Sequence, residues 1–499
     1  MLALLSWICQ AVFLVVVVYF AVYVLLELRV FLISQKVERQ KLTELVQSAL
    51  KQNADSEAEN WPPVSVLLPV RNESEVVERL IDAVCRLHYP GELLEILVLD
   101  DSSDGTTALA RGRVDWHAAQ GVDIRLVKRS DRKGYKAGNL VNGIQQSRGQ
   151  FFAIFDADFV PPTDFLLKTI PCFKDPNLGF LQTGIGYENR DVSFLTRFQA
   201  MEMGHQQYVT VGLSEDGDMA SLSGSSCVWR RACVDALGGW NASTVTEDVD
   251  LGYRAQFGEW KYAYLRDVVS MSTLPETISA YRIQRERWGR GLIHSGFKHF
   301  RQMLSQRMPL MKRMHAISVM FSSVLLASIY VLTLLSLPLT YLMHFDGAGM
   351  RWGALAFFGL VVLWGLENAF GARRGARFNK KPNVLGDLWD TYRYIAMFLP
   401  MAWYYFAGGM RALFGVHGDF HRTPKGKDGY RLAVPRINSV LLAGEIFTFF
   451  YALTAVGVAW RSANYFLTPL DVTACVGFGM ALYWSWQERH AHRRKQQDD

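Results

Sequence analysis

The sequence predicts an α/β domain of Rossmann-like, parallel-sheet type joined to a set of membrane-spanning helices. Three observations predict it. Half of the 499 residues are hydrophobic, with 30 Phe, 20 Tyr and 14 Trp, which is too long for one ordinary domain and rich for a soluble one. Between residues 64 and 269 no spanning run occurs, and short apolar stretches alternate with stretches of helical periodicity, as parallel strands joined by helices require. Long apolar runs flanked by Arg and Lys lie on either side of that region. The formal charge of +6 is modest and gathers beside those runs, so it reads as membrane-flanking, and nucleic acid is not expected as a partner. The six cysteines are scattered, with no CxxC pair and no Cys/His cluster at metal-ligand spacing. Reduced thiols are therefore expected, and zinc is not.

Residues 2–26 are almost wholly apolar, with no basic residue before them and no small-residue cleavage site after them, so residues 1–34 read as an anchor and not a removable signal. Arg29, Lys36, Arg39 and Lys41 follow, which places the N-terminus outside and residue 35 onward in the cytoplasm. Residues 35–60 form a polar, helical linker that ends at Trp61-Pro62-Pro63, and the α/β domain runs from 61 to 272. Its first strand is 64–70, then a helix over 73–87, a second strand over 95–99 and a third over 124–127. The first strand lacks a following GxGxxG, which disfavours a dehydrogenase-type dinucleotide fold.

A further strand, 151–155, ends in Asp156-Ala157-Asp158 before the breaker pair Pro161-Pro162. Ligands bind at the carboxyl ends of strands in open α/β sheets, and two hard oxygen ligands there suit Mg²⁺ or Mn²⁺ bridging a diphosphate. Asp-x-Asp is also common in plain turns. The second strand ends in Asp100-Asp101-Ser102-Ser103-Asp104-Gly105-Thr106, where Asp104 and Thr106 suit a turn and Asp100 suits a ligand. Lys133-Gly134-Tyr135-Lys136 offers a cation and pliable backbone ahead of a helix, either a diphosphate contact or a surface loop. Phe180 to Thr183 adds another edge, His205 lies on a later helix without an evident partner, and the small residues of 223–226 would let a sugar approach the backbone. Thr246-Glu247-Asp248 opens a helix over 249–257: Thr246 is a good N-cap, and a carboxylate there could serve as general base toward a hydroxyl. Gln284, Arg287 and Trp288 sit on a helix reaching residue 298, able to meet phosphates and a sugar face, or else forming a basic amphipathic surface helix within an interfacial segment, 273–312.

The rest, 313–499, reads as a transmembrane domain with helices over 315–343, 352–370, 440–460 and 465–486. The basic segment 373–381 and the tail 490–495 belong in the cytoplasm. Residues 388–414 are aromatic but carry Asp390, Arg393 and Arg411, and are expected to be interfacial or re-entrant. The count is then five spans, one before the α/β domain and four after it. Asn72 and Asn241 head glycosylation sequons but lie on the cytoplasmic side, where they stay unmodified.

Asp100-Asp101, Lys136-Ala-Gly138, Asp156-Ala-Asp158, Thr246-Glu-Asp248 and Gln284-Arg-Glu-Arg-Trp288, in that order, resemble the membrane-embedded family-2 glycosyltransferases of the cellulose-synthase-like group. The resemblance covers roughly residues 60–430 and implies a GT-A fold, a nucleotide-sugar donor and Mg²⁺ or Mn²⁺. By the same resemblance Asp100 and Asp101 contact the donor, Asp158 coordinates the metal with Asp156 beside the donor, and Lys136 lies near the diphosphate. Asp248, next to Glu247, is the base; Gln284, Arg287 and Trp288 hold the diphosphate and the acceptor sugar. Phe420-His-Arg-Thr423-Pro-Lys425 resembles the FxVTxK gating loop, here within 415–437, with Arg422 where Val is usual and with Thr423 and Lys425 as donor contacts. The implied function is inverting transfer of a hexose, from UDP-glucose as first choice and GDP-mannose as second, to a growing β-glycan secreted through a plasma or inner membrane. An accessory export protein is compatible with it. The alternative is single addition to a lipid such as ceramide or diacylglycerol; an inactive scaffold or a transporter comes last.

Overall fold

The computed structural model describes residues 2–36, 61–221, 223–244, 246–342, 348–375, 384–414 and 439–498. Seven strands form one sheet: β1 (Val64–Val70), β2 (Leu94–Asp100), β3 (Ile124–Lys128), β4 (Phe151–Ile154), β5 (Leu178–Tyr187), β6 (Cys227–Arg230) and β7 (Lys261–Ser272). Their spatial order is β3-β2-β1-β4-β6-β5-β7. The strands read as near-continuous apolar runs because both sheet faces are covered. Val66, Leu68, Ile96 and Val98 point into one core with Phe155 and Phe165. Leu67, Leu97, Leu99 and Phe152 point into the other, with Phe180 stacked on Trp229.

The expectation of a wholly parallel sheet needs correction at one strand. β6 runs antiparallel to both β4 and β5, and at four residues it is too short to carry a period of its own. Its direction matters, because the pairing of Ile154 with Cys227 brings the start of β6 beside the end of β4. The loop at 223–226 therefore lies against Asp156, whose backbone N–H donates to Ser225 Oγ at 2.8 Å.

The helices in chain order are α1 (Leu2–Lys36), α2 (Val77–Val84), α3 (Thr106–Ala118), α4 (Tyr135–Gln145), α5 (Phe165–Thr169), α6 (Phe194–Asp216), α7 (Arg231–Ala236), α8 (Glu247–Phe257) and α9 (Ile278–Ser305). They continue as α10 (Leu310–Met320), α11 (Ser322–Leu342), α12 (Ala348–Gly375), α13 (Val384–Leu413), α14 (Ser439–Ser462) and α15 (Thr468–Asp498). α6 begins with a reciprocal cap, Ser193 Oγ accepting from Thr196 N at 3.1 Å while Thr196 Oγ1 accepts from Ser193 N at 3.0 Å. It ends at Gly217 in the left-handed region. This helix packs on β7 and also on α1 and α12, joining the sheet domain to the apolar helices.

Among the described residues four helices are long and apolar enough to cross a membrane: Leu4–Lys36, Ser322–Tyr341, Trp352–Arg374 and Ser439–Ser462. Three expectations change here. The run 315–343 is two helices, α10 and α11, broken at Phe321. The segment 465–486 is helical within α15 but falls short of a spanning composition, since Asp471 and a tail of polar and aromatic residues dilute it. The segment 388–414, expected to be interfacial or re-entrant, lies in one unbroken helix, α13, with Tyr394, Met397, Met401 and Tyr404 buried against α9, α11 and α15. Its charges sit at its ends, where Arg393 pairs with Asp390 and Arg411 with Glu286. In α9 the basic side chains Arg282, Arg285 and Arg290 are buried against the protein. The linker from residue 37 to 60 and the loop with Thr423 and Lys425 lie outside the described residues.

Candidate active site

The site is built from strand ends and helix starts. β4 delivers Asp156 and Asp158, β7 delivers Ser272, α4 delivers Lys136, α8 opens with Glu247 and Asp248, and α9 supplies Gln284, Arg287 and Trp288. These side chains, with Asp101, line one cavity of about 560 Å³, within the range that holds a ligand of nucleotide-sugar size. Phe20, Leu325, Ile329, Trp364 and Phe398 line the same cavity, so it runs on between the apolar helices.

Lys136 is the hub. Its Nζ lies 2.7 Å from Asp156 Oδ1 and 3.8 Å from Glu247 Oε1, and donates to Gly224 O at 3.2 Å. Burial alone would lower its pKa, but Asp156, Glu247 and Asp248 outweigh burial and hold it charged. Burial, with Asp248 next to it, pushes Glu247 up to about 7 against the pull of Lys136. Burial also raises Asp248 above the usual carboxylate range, opposed by Lys136 and by the backbone N–H of Val249, which donates to Asp248 Oδ1 at 2.8 Å. Gly224 is required by contact: a Cβ there would lie 2.8 Å from both Cβ and Oδ2 of Asp248. Asp158 is 1% exposed and accepts from Ser272 Oγ at 2.5 Å.

Asp156, Asp158, Glu247 and Asp248 thus gather with Lys136 and Arg287 in a pocket whose lining holds eight carboxylates against five Lys or Arg side chains. The surplus of negative charge, and the upward pressure on Glu247 and Asp248, fit a site that receives a divalent cation. Trp288 is set from below: the Arg285 guanidinium lies 4.3 Å from its ring centre and 4.5 Å from that of Tyr281, and pairs with Glu202 at 2.6 Å.

Two expectations are reversed. Asp100 does not line the cavity; its carboxylate closes its own loop, accepting from Ser102 N at 2.8 Å and Thr107 Oγ1 at 2.7 Å. Burial would raise its pKa, but those hydrogen bonds prevail and hold it low. Asp101 faces the cavity instead, gripped by Arg129 through two bonds of 2.8 and 2.6 Å. Thr246 does not cap α8 with its side chain; its hydroxyl meets Ser295 Oγ at 3.0 Å. The turn at Asp104 forms as expected, its Oδ1 accepting from Thr106 N at 3.0 Å. Ser225, in the small-residue loop expected to admit a sugar, lines the cavity; Ser272, Glu202, Arg285 and Tyr405 also line it and were not singled out, since single hydroxyls and mid-helix charges carry no spacing signal.

An Asp-x-Asp strand end, a Thr-Glu-Asp helix start and a Gln-x-x-Arg-Trp turn, gathered at the rim of this mixed sheet, define a glycosyltransferase domain of GT-A-like architecture. Residues 62–291 match the family described as glycosyltransferase like family 2. The chain is 39% identical over 238 residues, 46% of its own length and 42% of the relative's, to a probable glucomannan 4-beta-mannosyltransferase 6 of Oryza sativa subsp. japonica. It is 34% identical over 303 residues, 58% and 57% of the two lengths, to glucomannan 4-beta-mannosyltransferase 1 of Cyamopsis tetragonoloba. The chain therefore spans about half the length of the curated relatives it matches. Among solved structures it is similar to the mannosyltransferase PcManGT from Pyrobaculum calidifontis in complex with GDP-Man and Mn²⁺, at 17% identity and a TM-score of 0.47, over 80% of this chain and 100% of that one.

Proposed function

We propose that the chain is a membrane-held, inverting mannosyltransferase that moves mannose from GDP-mannose to a growing β-glycan. The observation that carries the reading is Asp248, a half-buried carboxylate of raised pKa that shares one cavity with Asp156, Asp158 and Trp288. The curated relatives are named as mannosyltransferases, and this moves GDP-mannose ahead of UDP-glucose.

Asp248 takes the proton from the acceptor hydroxyl, the freed oxygen attacks the anomeric carbon, and the bond to the nucleotide diphosphate breaks on the opposite face. Lys136 and Arg287 face the charge that develops on the leaving diphosphate. Asp158, with Asp156 beside it, would hold Mg²⁺ or Mn²⁺, which supplies Lewis-acid neutralisation of that diphosphate when bound. Trp288, fixed by Arg285, offers its face to the acceptor sugar. Gln284 supplies an amide for donor or acceptor hydroxyls, and Asp101 with Arg129 forms the rim beside the donor. Thr423 and Lys425 belong to this proposal as donor contacts on the gating-like loop. The four apolar helices among the described residues support a multi-pass membrane protein, and the Arg and Lys clusters favour a cytoplasmic catalytic side.

Two features of the cavity bear on the acceptor. Trp364, Tyr394 and Phe398 supply aromatic faces along its inner end, which favours a chain of sugars. The apolar wall of Phe20, Leu325 and Ile329 gives the second reading, single addition to a lipid, its support. Nucleotide release by the full chain in lipid nanodiscs with Mn²⁺ tests the donor. GDP-mannose is expected to exceed UDP-glucose by about tenfold or more; equal or greater release from UDP-glucose would overturn the assignment.

A further inference from the structure

On the wall of the same cavity, where α1 and α12 meet α6 and where Glu27 and His205 join its lining, three side chains that the proposed transfer reaction does not use converge. Glu27 of α1, His205 of α6 and Glu367 of α12 present ligand atoms that all lie within 4.8 Å of one another. His315 of α10 closes the group, its Nε2 lying 3.8 Å from Glu27 Oε1, while His205 Nε2 lies 3.8 Å from Glu27 Oε2. The two carboxylates are nearly enclosed, Glu27 at 6% exposure and Glu367 at 4%.

The bonding of this group is incomplete. Neither oxygen of Glu367 has a hydrogen-bond partner among the described residues, and the same holds for both ring nitrogens of His315 and for His205 Nδ1. A buried carboxylate left in that state costs several kcal/mol, on the order of 3–5 for a charge without its partner. Cations near by are otherwise engaged. Arg29 pairs with Asp216 and Asp218 at 2.5 and 2.7 Å, and Lys312 reaches the same two acids at 3.5 Å. Gly371 on α12 adds a shape argument, since a Cβ there would come within 2.5 Å of His205 Nδ1. The absence of a side chain at that position lets the imidazole enter the cluster.

We infer that Glu27, His205 and Glu367 form a second divalent-cation site, separate from the Asp156-Asp158 pair, that clamps the anchor helix to the sheet domain. A dication balances two buried carboxylates that pair with no Lys or Arg among the described residues, and one or two imidazoles with carboxylates are a donor set for Zn²⁺. His315 is placed to become the fourth ligand. Ligand atoms at 3.8–4.8 Å are slightly wider than the spacing of about 3.4 Å between ligands of a tetrahedral Zn²⁺, so binding draws α1, α6 and α12 together. No local spacing in the sequence marks the site, because its ligands come from helices far apart along the chain.

The test is metal binding to the full chain in detergent or nanodiscs, after stripping with a chelator and reloading with Zn²⁺ or with Co²⁺ as a spectroscopic probe. Asp158→Asn serves as background, to silence the donor-site metal. The expected result is about one tightly held ion per chain in Asp158→Asn, Co²⁺ d–d bands showing imidazole ligation, and a Tm that rises on reloading. Adding Glu367→Gln, which keeps shape and removes charge, weakens that binding by more than about tenfold and abolishes the rise in Tm. Adding His205→Gln weakens the imidazole signature, and adding His315→Gln to it removes that signature. If Asp158→Asn holds no ion, or if its ion and Tm response persist unchanged with Glu367→Gln, the cluster is not a metal site and shares a proton instead.

Discussion

In the proposed mechanism Asp248 carries the reaction on a single carboxylate, and its surroundings fix how it responds to pH. Burial raises its pKa, so the proton that must be absent for base catalysis is held more tightly than on a solvated aspartate of about 4. Turnover is therefore expected to fall as pH drops, beginning at a higher pH than for a solvated acid, and a pH profile of kcat checks this. Asp248→Asn is expected to lower kcat by about 10²–10⁴ with little change in donor affinity; unchanged turnover would remove Asp248 from the mechanism. Glu247 has the opposite value for stability. Its folded pKa of about 7 lies above the ordinary carboxylate value, so the folded state binds the extra proton and stability falls as pH rises toward 7. Glu247→Gln should accordingly raise Tm measured near pH 8 relative to wild type, an effect absent near pH 4.

Most of these residues were readable from the sequence, because strand-end and helix-start acids announce themselves by position. Asp100 and Asp101 were not told apart: which of two adjacent acids turns inward depends on Ser102, Thr107 and Arg129, contacts that reach from neighbouring turns and from β3's far end.

At the scale of elements, α9 does the joining. Arg282 is buried and bonds to Glu445 of α14 and to Ser485 of α15, while Arg285 bonds to Glu202 of α6 and sits under Trp288. Removing one partner strands the other charge, so Glu445→Ala is expected to cost roughly 3–5 kcal/mol in unfolding experiments. The loop before β6 is set by a different constraint. Gly224→Ala would drive a methyl group into Asp248, and should depress kcat while leaving the unfolding transition in place. The sequence showed α9's motif but not its direction, because basic side chains at helical spacing read as a solvated face until the acids on α6 and α14 are brought against them. The break at Phe321 and the buried course of α13 were hidden for the same reason: apolar runs fix helix content, and packing fixes where the helices bend and which face is covered.

On the scale of the whole molecule, one cavity links the carboxylates at the sheet's rim to aromatic and apolar side chains between the membrane-length helices. The two-part architecture was legible because period-2 and long apolar patterns differ so strongly. Among the described residues four helices have the length and composition of a span, and α15, which holds the expected fifth, is less apolar and carries Asp471. The cavity's continuity makes a polymer the expected product, one end held at Trp288 and the older sugars lying toward Trp364 and Phe398. The most direct measurement is sizing of product made from radiolabelled GDP-mannose by the full chain in nanodiscs, before and after digestion with an endo-β-1,4-mannanase. Label in a long chain that the mannanase shortens, and that is missing with Asp248→Asn, is the predicted result. Label confined to the lipid fraction as a single hexose would contradict it.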